Sequence, residues 1–372
     1  MKLLIVYTNY GTGHISAAKA LNEYIKSEYK NVEIELVDIV TYARPKFNKF
    51  QNFLGKTLAT KFRKFRMKLY KKHMYSKMNQ QSKFVDMCVK IVYTKKLERL
   101  LKEINADIII STQSAPTELV ARNKKKFGNP IIASVFTDYG LHRYHLLSKE
   151  NIDYNFVPTI EIKKQMMDLS VPEDKIYVTG IPISKDFSPT LNKKDEITKQ
   201  YSLEKNQPLL LFVAGGGLGY DNSLPYFKEL LNIDLSFSYI FVAGKNEKLK
   251  EKAELMAKNS RKNGIVLGYT REMAKLLSAS DLLIGKPGGL ITTEAIQMNT
   301  PICAVAPIPG QELKNVDFII ASNFGIYSQN TTDFRNDIEN ILKNKHLLQA
   351  MKLCIEKYQI KNGAENIAKV LL

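Results

Sequence analysis

The feature that most restricts the fold of this chain is a repeated change of hydrophobic period. Short apolar runs alternate with longer stretches whose apolar residues recur every three or four positions, and the series occurs twice. In the first half the runs are 2–8, 32–39, 107–112, 131–137, 155–158 and 177–180; in the second they are 209–214, 239–243, 265–267, 282–285, 302–306 and 325–328. Helical patterns lie between them, for example at 16–27 and 95–104. Short apolar runs separated by helices read as strands of parallel sheets buried on both faces. Two such series predict two doubly wound α/β domains. A length of 372 residues suits that number. Pro182, Pro189 and Pro208 bracket a polar stretch that marks the divide. The expected domains are therefore 1–185 and 186–349. A last helix from about His346 to the end is expected, with roughly 350–372 folding back on the first domain.

The first run, Leu3 to Tyr7, gives way at once to Thr8 and Asn9, so it reads as a buried strand and not as a signal peptide. No apolar run approaches the ~20 residues of a membrane span. Cys88, Cys303 and Cys354 are far apart and form no metal-ligand spacing, which fits a reducing compartment and speaks against a zinc site. The net charge of +18 is concentrated: from Arg44 to Lys102 stand 18 lysines and arginines against Asp86 and Glu98. Within that window Leu58, Phe62, Phe65 and Leu69 recur at one helical stripe. Lys61, Arg63, Lys64, Arg66, Lys68, Lys71 and Lys72 surround it. A basic amphipathic helix with aromatics is the pattern of membrane-surface binding, each cation contributing about 1 kcal/mol at an anionic leaflet. A lysine-rich surface helix packing its phenylalanines inward is the plainer alternative. A nucleic-acid partner would use the same charge but leaves the glycine-rich turns described next without a role.

Chemistry-bearing residues gather where strands end. Asn9-Tyr10-Gly11-Thr12-Gly13-His14 joins the first strand to the first helix; Ser16 replaces the third glycine of a dinucleotide fingerprint, so that motif does not fit. His14 there can serve as a general base or can merely cap a helix. Phe136-Thr137-Asp138-Tyr139-Gly140-Leu141-His142 follows another strand; Asp138 and His142 form an acid/base pair or a turn aspartate with a surface histidine. Ala214-Gly215-Gly216-Gly217-Leu218-Gly219 suits close backbone approach to phosphate, with Gly216 a candidate contact. Gly285-Lys286-Pro287-Gly288-Gly289-Leu290 runs from a strand into a helix whose free N–H groups suit a pyrophosphate. Glu294, one turn in, either accepts ribose hydroxyls or is an exposed helix glutamate. Pro309-Gly310-Gln311-Glu312, with Asn315, offers the donors and acceptors by which sugars are read, or a polar loop before a helix.

In this order the motifs resemble those of the monogalactosyldiacylglycerol synthase and processive diacylglycerol glucosyltransferase family, relatives of the peptidoglycan N-acetylglucosaminyltransferase. The resemblance covers nearly the whole chain. It rests on Gly11-Thr12-Gly13-His14, the 136–142 motif, Val178-Thr179-Gly180-Ile181-Pro182-Ile183, Leu267-Gly268-Tyr269-Thr270, Lys286-Pro287-Gly288-Gly289 with Glu294, and Pro309-Gly310-Gln311-Glu312. It implies a GT-B fold, two Rossmann-like domains facing a cleft, and metal-independent transfer with inversion from a UDP-sugar, glucose or galactose, to diacylglycerol. Tyr269 and Thr270 would flank the uracil, Glu294 hold the ribose, and Gly288, Gly289 and Leu290 face the phosphates. Gln311 and Glu312 would meet the sugar. The lipid would enter beside Gly13, Tyr139 and His142, losing its proton to His14 or Asp138. Asn9-Tyr10 stand where small residues often precede Gly11, a departure that reshapes this mouth. No cofactor is implied. The expected setting is the cytoplasmic face of a bacterial membrane. A polyprenyl-linked acceptor, a UDP-sugar epimerase and a non-catalytic nucleotide-sugar or lipid binder are the competing readings.

Overall fold

A computed structural model of the protein describes residues 1–9, 11–44, 91–215, 221–308, 310–358 and 362–372. They form two compact units, one of the described residues within Met1–Lys185, Pro309–Gln311 and Lys361–Leu372, the other of those within Asp186–Ile308 and Glu312–Ile360. The basic stripe from Phe62 to Lys72 lies outside the described residues, as do Tyr10, Gly216 and Pro309.

The first unit holds β1 (Lys2–Tyr7), β2 (Glu33–Asp38), β3 (Ile108–Ser111), β4 (Ile131–Val135), β5 (Tyr154–Val157) and β6 (Ile176–Val178). The second holds β7 (Leu209–Val213), β8 (Ser238–Val242), β9 (Asn263–Leu267), β10 (Leu282–Gly285), β11 (Ile302–Val305) and β12 (Gly325–Ser328). All twelve expected strands are present, within two residues at either end. Every pairing is parallel, with sheet orders β2-β1-β3-β4-β5-β6 and β12-β11-β10-β7-β8-β9. The order reverses between β1 and β3 in the first sheet and between β7 and β10 in the second. In open parallel sheets ligands bind at such switch points, off the carboxyl ends of the strands.

Side-chain alternation shows why these runs are strands. Leu3 and Ile5 point to one face of the first sheet, where the helix Thr12–Glu28 lays Ala18, Leu21 and Ile25 against them. Leu4 and Val6 point to the other face and meet Leu97 and Leu101 of the helix Lys95–Ile104. Both faces are apolar, so the runs are continuous and not alternating. In the second sheet Leu210, Phe212, Phe241 and Ile284 form one such face with Phe227 and Phe334.

The end of the chain differs from the expectation of one helix from about His346. Two helices are present, Lys345–Tyr358 in the second unit and Gly363–Leu371 in the first. So only residues beyond 361, and not all of 350–372, return to the first unit. Asn362 starts the last helix by accepting the N–H of Ala364 at 2.9 Å, and Ala364, Ile367 and Ala368 complete the core beside Leu21 and Ile25. This helix docks on the motif Thr179-Gly180-Ile181-Pro182-Ile183: Asn362 Nδ2 donates to the Ile183 carbonyl at 3.1 Å and Asn366 Nδ2 to that of Thr179 at 2.9 Å. A Cβ on Gly363 would fall 2.5 Å from the Ile181 carbonyl carbon. Gly363→Ala is therefore expected to cost about 1–3 kcal/mol of stability by forcing the helix off its seat, seen as a lower urea midpoint for unfolding of the first unit.

Candidate active site

In the first unit a candidate site forms at the β1–β3 switch point. The N-terminal helix begins at Thr12, earlier than the expected 16, so His14 lies in its first turn. Gly11 makes this entry possible, with φ of +91°, and a Cβ there would stand 3.1 Å from Cδ2 of the His14 ring. His14 does not cap the helix. Its Nδ1 lies 3.0 Å from the carbonyl oxygen of Thr112, just past β3, and 2.6 Å from Oγ1 of Thr137, just past β4. The Thr112 hydroxyl donates to the His14 carbonyl at 2.9 Å. Gln113 ties β1 to β3 by accepting the N–H of Thr8 at 3.1 Å and its hydroxyl at 2.7 Å. Burial lowers the His14 pKa, while the Asp138 carboxylate and the Thr112 carbonyl push the other way.

Asp138 is thus within electrostatic reach of His14, whereas the sequence paired it with His142. His142 is not a surface histidine: it is buried, as is Tyr139. The sequence reading missed His145. Its ring stacks on Phe136 with centroids 4.0 Å apart, and Nδ1 accepts the N–H of His142 at 3.2 Å. Burial, with His142 and His14 nearby, holds its pKa well below the usual value. It was visible only as one more polar residue after a strand. Thr112 and Thr137 were legible in the same way.

In the second unit a separate candidate site forms at the β7–β10 switch point. Gly215 follows β7 at φ of +111°. Off β10, Gly288 precedes the helix Gly289–Gln297, and Gly289 and Leu290 are buried in its first turn. This turn is braced by the helix Gln311–Ala321. The Lys286 ammonium lies 2.7 Å from Oε1 of Glu312, the Ile308 N–H donates to Oε2 at 2.5 Å, and the fully buried Asn315 donates to the Pro287 carbonyl at 2.9 Å. The Glu312 carboxylate, read from sequence as a sugar contact, has both oxygens engaged within the protein. Gln311 opens the same helix.

Glu294 is half-buried, not an exposed helix glutamate. Burial alone pushes its carboxyl up to about 7. Tyr269 is 59% exposed with the Lys245 ammonium 4.9 Å from its ring centre, and Thr270 accepts the N–H of Glu272 at 3.0 Å. Gly288, Gly289 and Leu290 therefore form one strand-to-helix turn, with Glu294 further along the helix it begins, while Tyr269 and Thr270 stand past β9. Among the described residues no group of three or more His, Cys, Asp or Glu is placed to hold a metal ion, and no helix is long and apolar enough to cross a membrane.

Solved structures share this architecture along essentially the whole chain. The MurG protein of Acinetobacter baumannii superposes with a TM-score of 0.65 at 15% identity, covering 100% of this chain and 99% of that one. The UDP-GlcNAc 2-epimerase of Neisseria meningitidis, bound to UDP-GlcNAc, gives 0.66 at 14%, with the same coverage. The fold is thus the two-domain GT-B fold of glycosyltransferases. In sequence, the profile of the monogalactosyldiacylglycerol (MGDG) synthase family matches residues 14–183. A processive diacylglycerol beta-glucosyltransferase of Bacillus pumilus is 29% identical over 378 residues, 98% of this chain and 93% of the relative. The chain is thus similar to this family of glycosyltransferases along nearly its whole length.

The raised pKa of Glu294 has two consequences. A carboxylate accepts hydroxyls better than a carboxylic acid, so a ligand that donates a hydroxyl to Glu294 is expected to bind about tenfold more weakly at pH 6 than at pH 8, as the ionised fraction falls. Calorimetric titration of UDP across that range reads it, and Glu294→Gln should flatten the dependence while weakening binding at pH 8. A carboxyl raised from 4.5 to about 7 on folding destabilises the fold increasingly as pH rises through that interval. The same variant should therefore melt higher than the parent at pH 8.

Proposed function

We propose that this chain transfers a hexose, glucose or galactose, from a UDP-sugar to diacylglycerol with inversion, at the cytoplasmic membrane surface. End-to-end similarity to diacylglycerol beta-glucosyltransferases carries the reading. The arrangement of residues at the two switch points supports it. In the second unit the Tyr269 ring covers the uracil, Glu294 accepts the ribose hydroxyls, and Gly288, Gly289 and Leu290 face the phosphates, with Gly216 a further candidate contact. Gln311, and the remaining lone pairs of Glu312, read the sugar. The start of the helix Gly289–Gln297 stabilises the charge that develops on the departing pyrophosphate, with no cofactor assigned.

In the first unit the acceptor hydroxyl lies against Gly13, Tyr139 and His142. His14 takes its proton, and Asp138 favours the imidazolium that results. The freed oxygen attacks the anomeric carbon opposite UDP, giving a β-linkage from an α-linked donor. On liposomes with diacylglycerol, and with EDTA present, UDP-glucose or UDP-galactose should yield lipid products heavier by one or more hexoses. His14→Ala should lower turnover by about 10²–10⁴-fold and Asp138→Asn by less. UDP release without glycolipid would redirect the reading to a polyprenyl-linked acceptor. Full turnover in both variants would remove His14 and Asp138 from the chemistry.

The basic segment, with Phe62, Arg63, Lys64, Phe65, Arg66, Lys68, Lys71 and Lys72, is the proposed membrane contact. Its C-terminal flank agrees in charge: the helix Lys95–Ile104 buries Leu97 and Leu101 while leaving Lys95, Lys96 and Arg99 exposed. Co-sedimentation with anionic vesicles should be lost as salt rises toward roughly 1 M, where the screening length shrinks to about 3 Å. Binding that withstands salt would point to apolar insertion.

A further inference from the structure

The two nitrogens of the His14 imidazole have unequal surroundings. Nδ1 faces the Thr112 carbonyl oxygen at 3.0 Å and the Thr137 hydroxyl oxygen at 2.6 Å. A carbonyl oxygen only accepts, so Nδ1 carries the proton and donates it there. A protonated Nδ1 has no lone pair, so the Thr137 hydroxyl oxygen meets the same N–H as a second acceptor. The lone pair of the neutral ring is then on Nε2. Thr137 is 5% exposed at the end of β4, where its oxygen has little access to bulk water.

We propose that Thr137 is a positioning residue of the transfer reaction: its buried hydroxyl, together with the Thr112 carbonyl, locks His14 in the Nδ1–H tautomer and so presents Nε2 as the proton acceptor. This rests on the reading of His14 as the general base. As the acceptor oxygen bonds to the anomeric carbon, its proton moves to Nε2, the bond from that carbon to the phosphate oxygen breaks, and UDP leaves with the electron pair. The imidazolium then has Nδ1–H shared between two oxygens. The groups facing it are Asp138, which favours the cation, and the His145 and His142 rings of the following turn. His145 accepts the His142 N–H at Nδ1 and is held neutral by burial, so it adds no second cation. Without Thr137 Oγ1 the imidazolium loses an acceptor and the ring loses one of its two anchors.

The test uses the full chain labelled with 15N-histidine. His14→Gln identifies the His14 signals by difference, and long-range proton–nitrogen spectra report the tautomer. The wild-type ring should be protonated at Nδ1. Thr137→Val, which keeps the side-chain shape, should show mixed tautomers. Its acid limb of kcat/KM should move to lower pH, and its kcat should fall about tenfold, the loss of one hydrogen bond, with KM for the UDP-sugar unchanged. Thr137→Ser should restore all three. Should valine disturb the fold, Thr137→Ala reads the same spectrum and rate. An unchanged spectrum, or a changed spectrum with unchanged kcat, overturns the proposal while an inactive His14→Gln leaves the general-base reading standing. A fully active His14→Gln overturns that reading itself, whatever Thr137 does.

Discussion

Parallel strands covered by helices on both faces leave a sheet only its ends for polar work. Leu3 to Val6 and Leu209 to Phe212 are all fully buried, so these central strands leave no room for a functional side chain along their length. What remains is the rim where strands stop and helices start, and there the switch points open a gap between neighbours. His14, Thr112, Thr137 and Asp138 all follow the ends of β1, β3 and β4. Gly215, Pro287, Gly288 and Gly289 follow β7 and β10. Two sheets with different strand orders thus reach the same solution, a polar rim on an apolar wall.

The second rim is held from a distance. A glycine-rich turn would move if left to itself, since its residues have few side-chain contacts. Here Glu312 and Asn315, from a helix that follows the next strand, hold Lys286 and Pro287 in place. Glu294, on the helix this turn begins, is a carboxyl whose pKa burial lifts to about 7, with no compensating cation among the described residues. A group that weakens the fold in its ionised form is a common mark of a binding site.

Much of the fold was legible because doubly covered parallel strands read as unbroken apolar runs. The Gly-Thr-Gly-His and Pro-Gly-Gly turns could be placed for the same reason: they follow such runs directly. What sequence concealed were contacts between distant segments. Nothing near His14 in the chain announces Thr112 or Thr137, which lie 98 and 123 residues away. Nor did the sequence announce that Glu312 also holds Lys286 and the Ile308 N–H, partners that the fold supplies. The break between the last two helices was signalled only by Asn362-Gly363, a turn pair that a strong helical pattern on either side obscured.

The docking of Gly363–Leu371 on the Thr179–Ile183 strip makes the first unit discontinuous in the chain, with the whole second unit inserted into it. During synthesis, residues 1–185 emerge with Leu21 and Ile25 lacking the cover that Ala364, Ile367 and Ala368 later supply. The second unit, threaded between, has all its strands available before that cover arrives. The first unit is thus begun before the second and completed after it, and in the interval a strip of its apolar surface lacks its native cover.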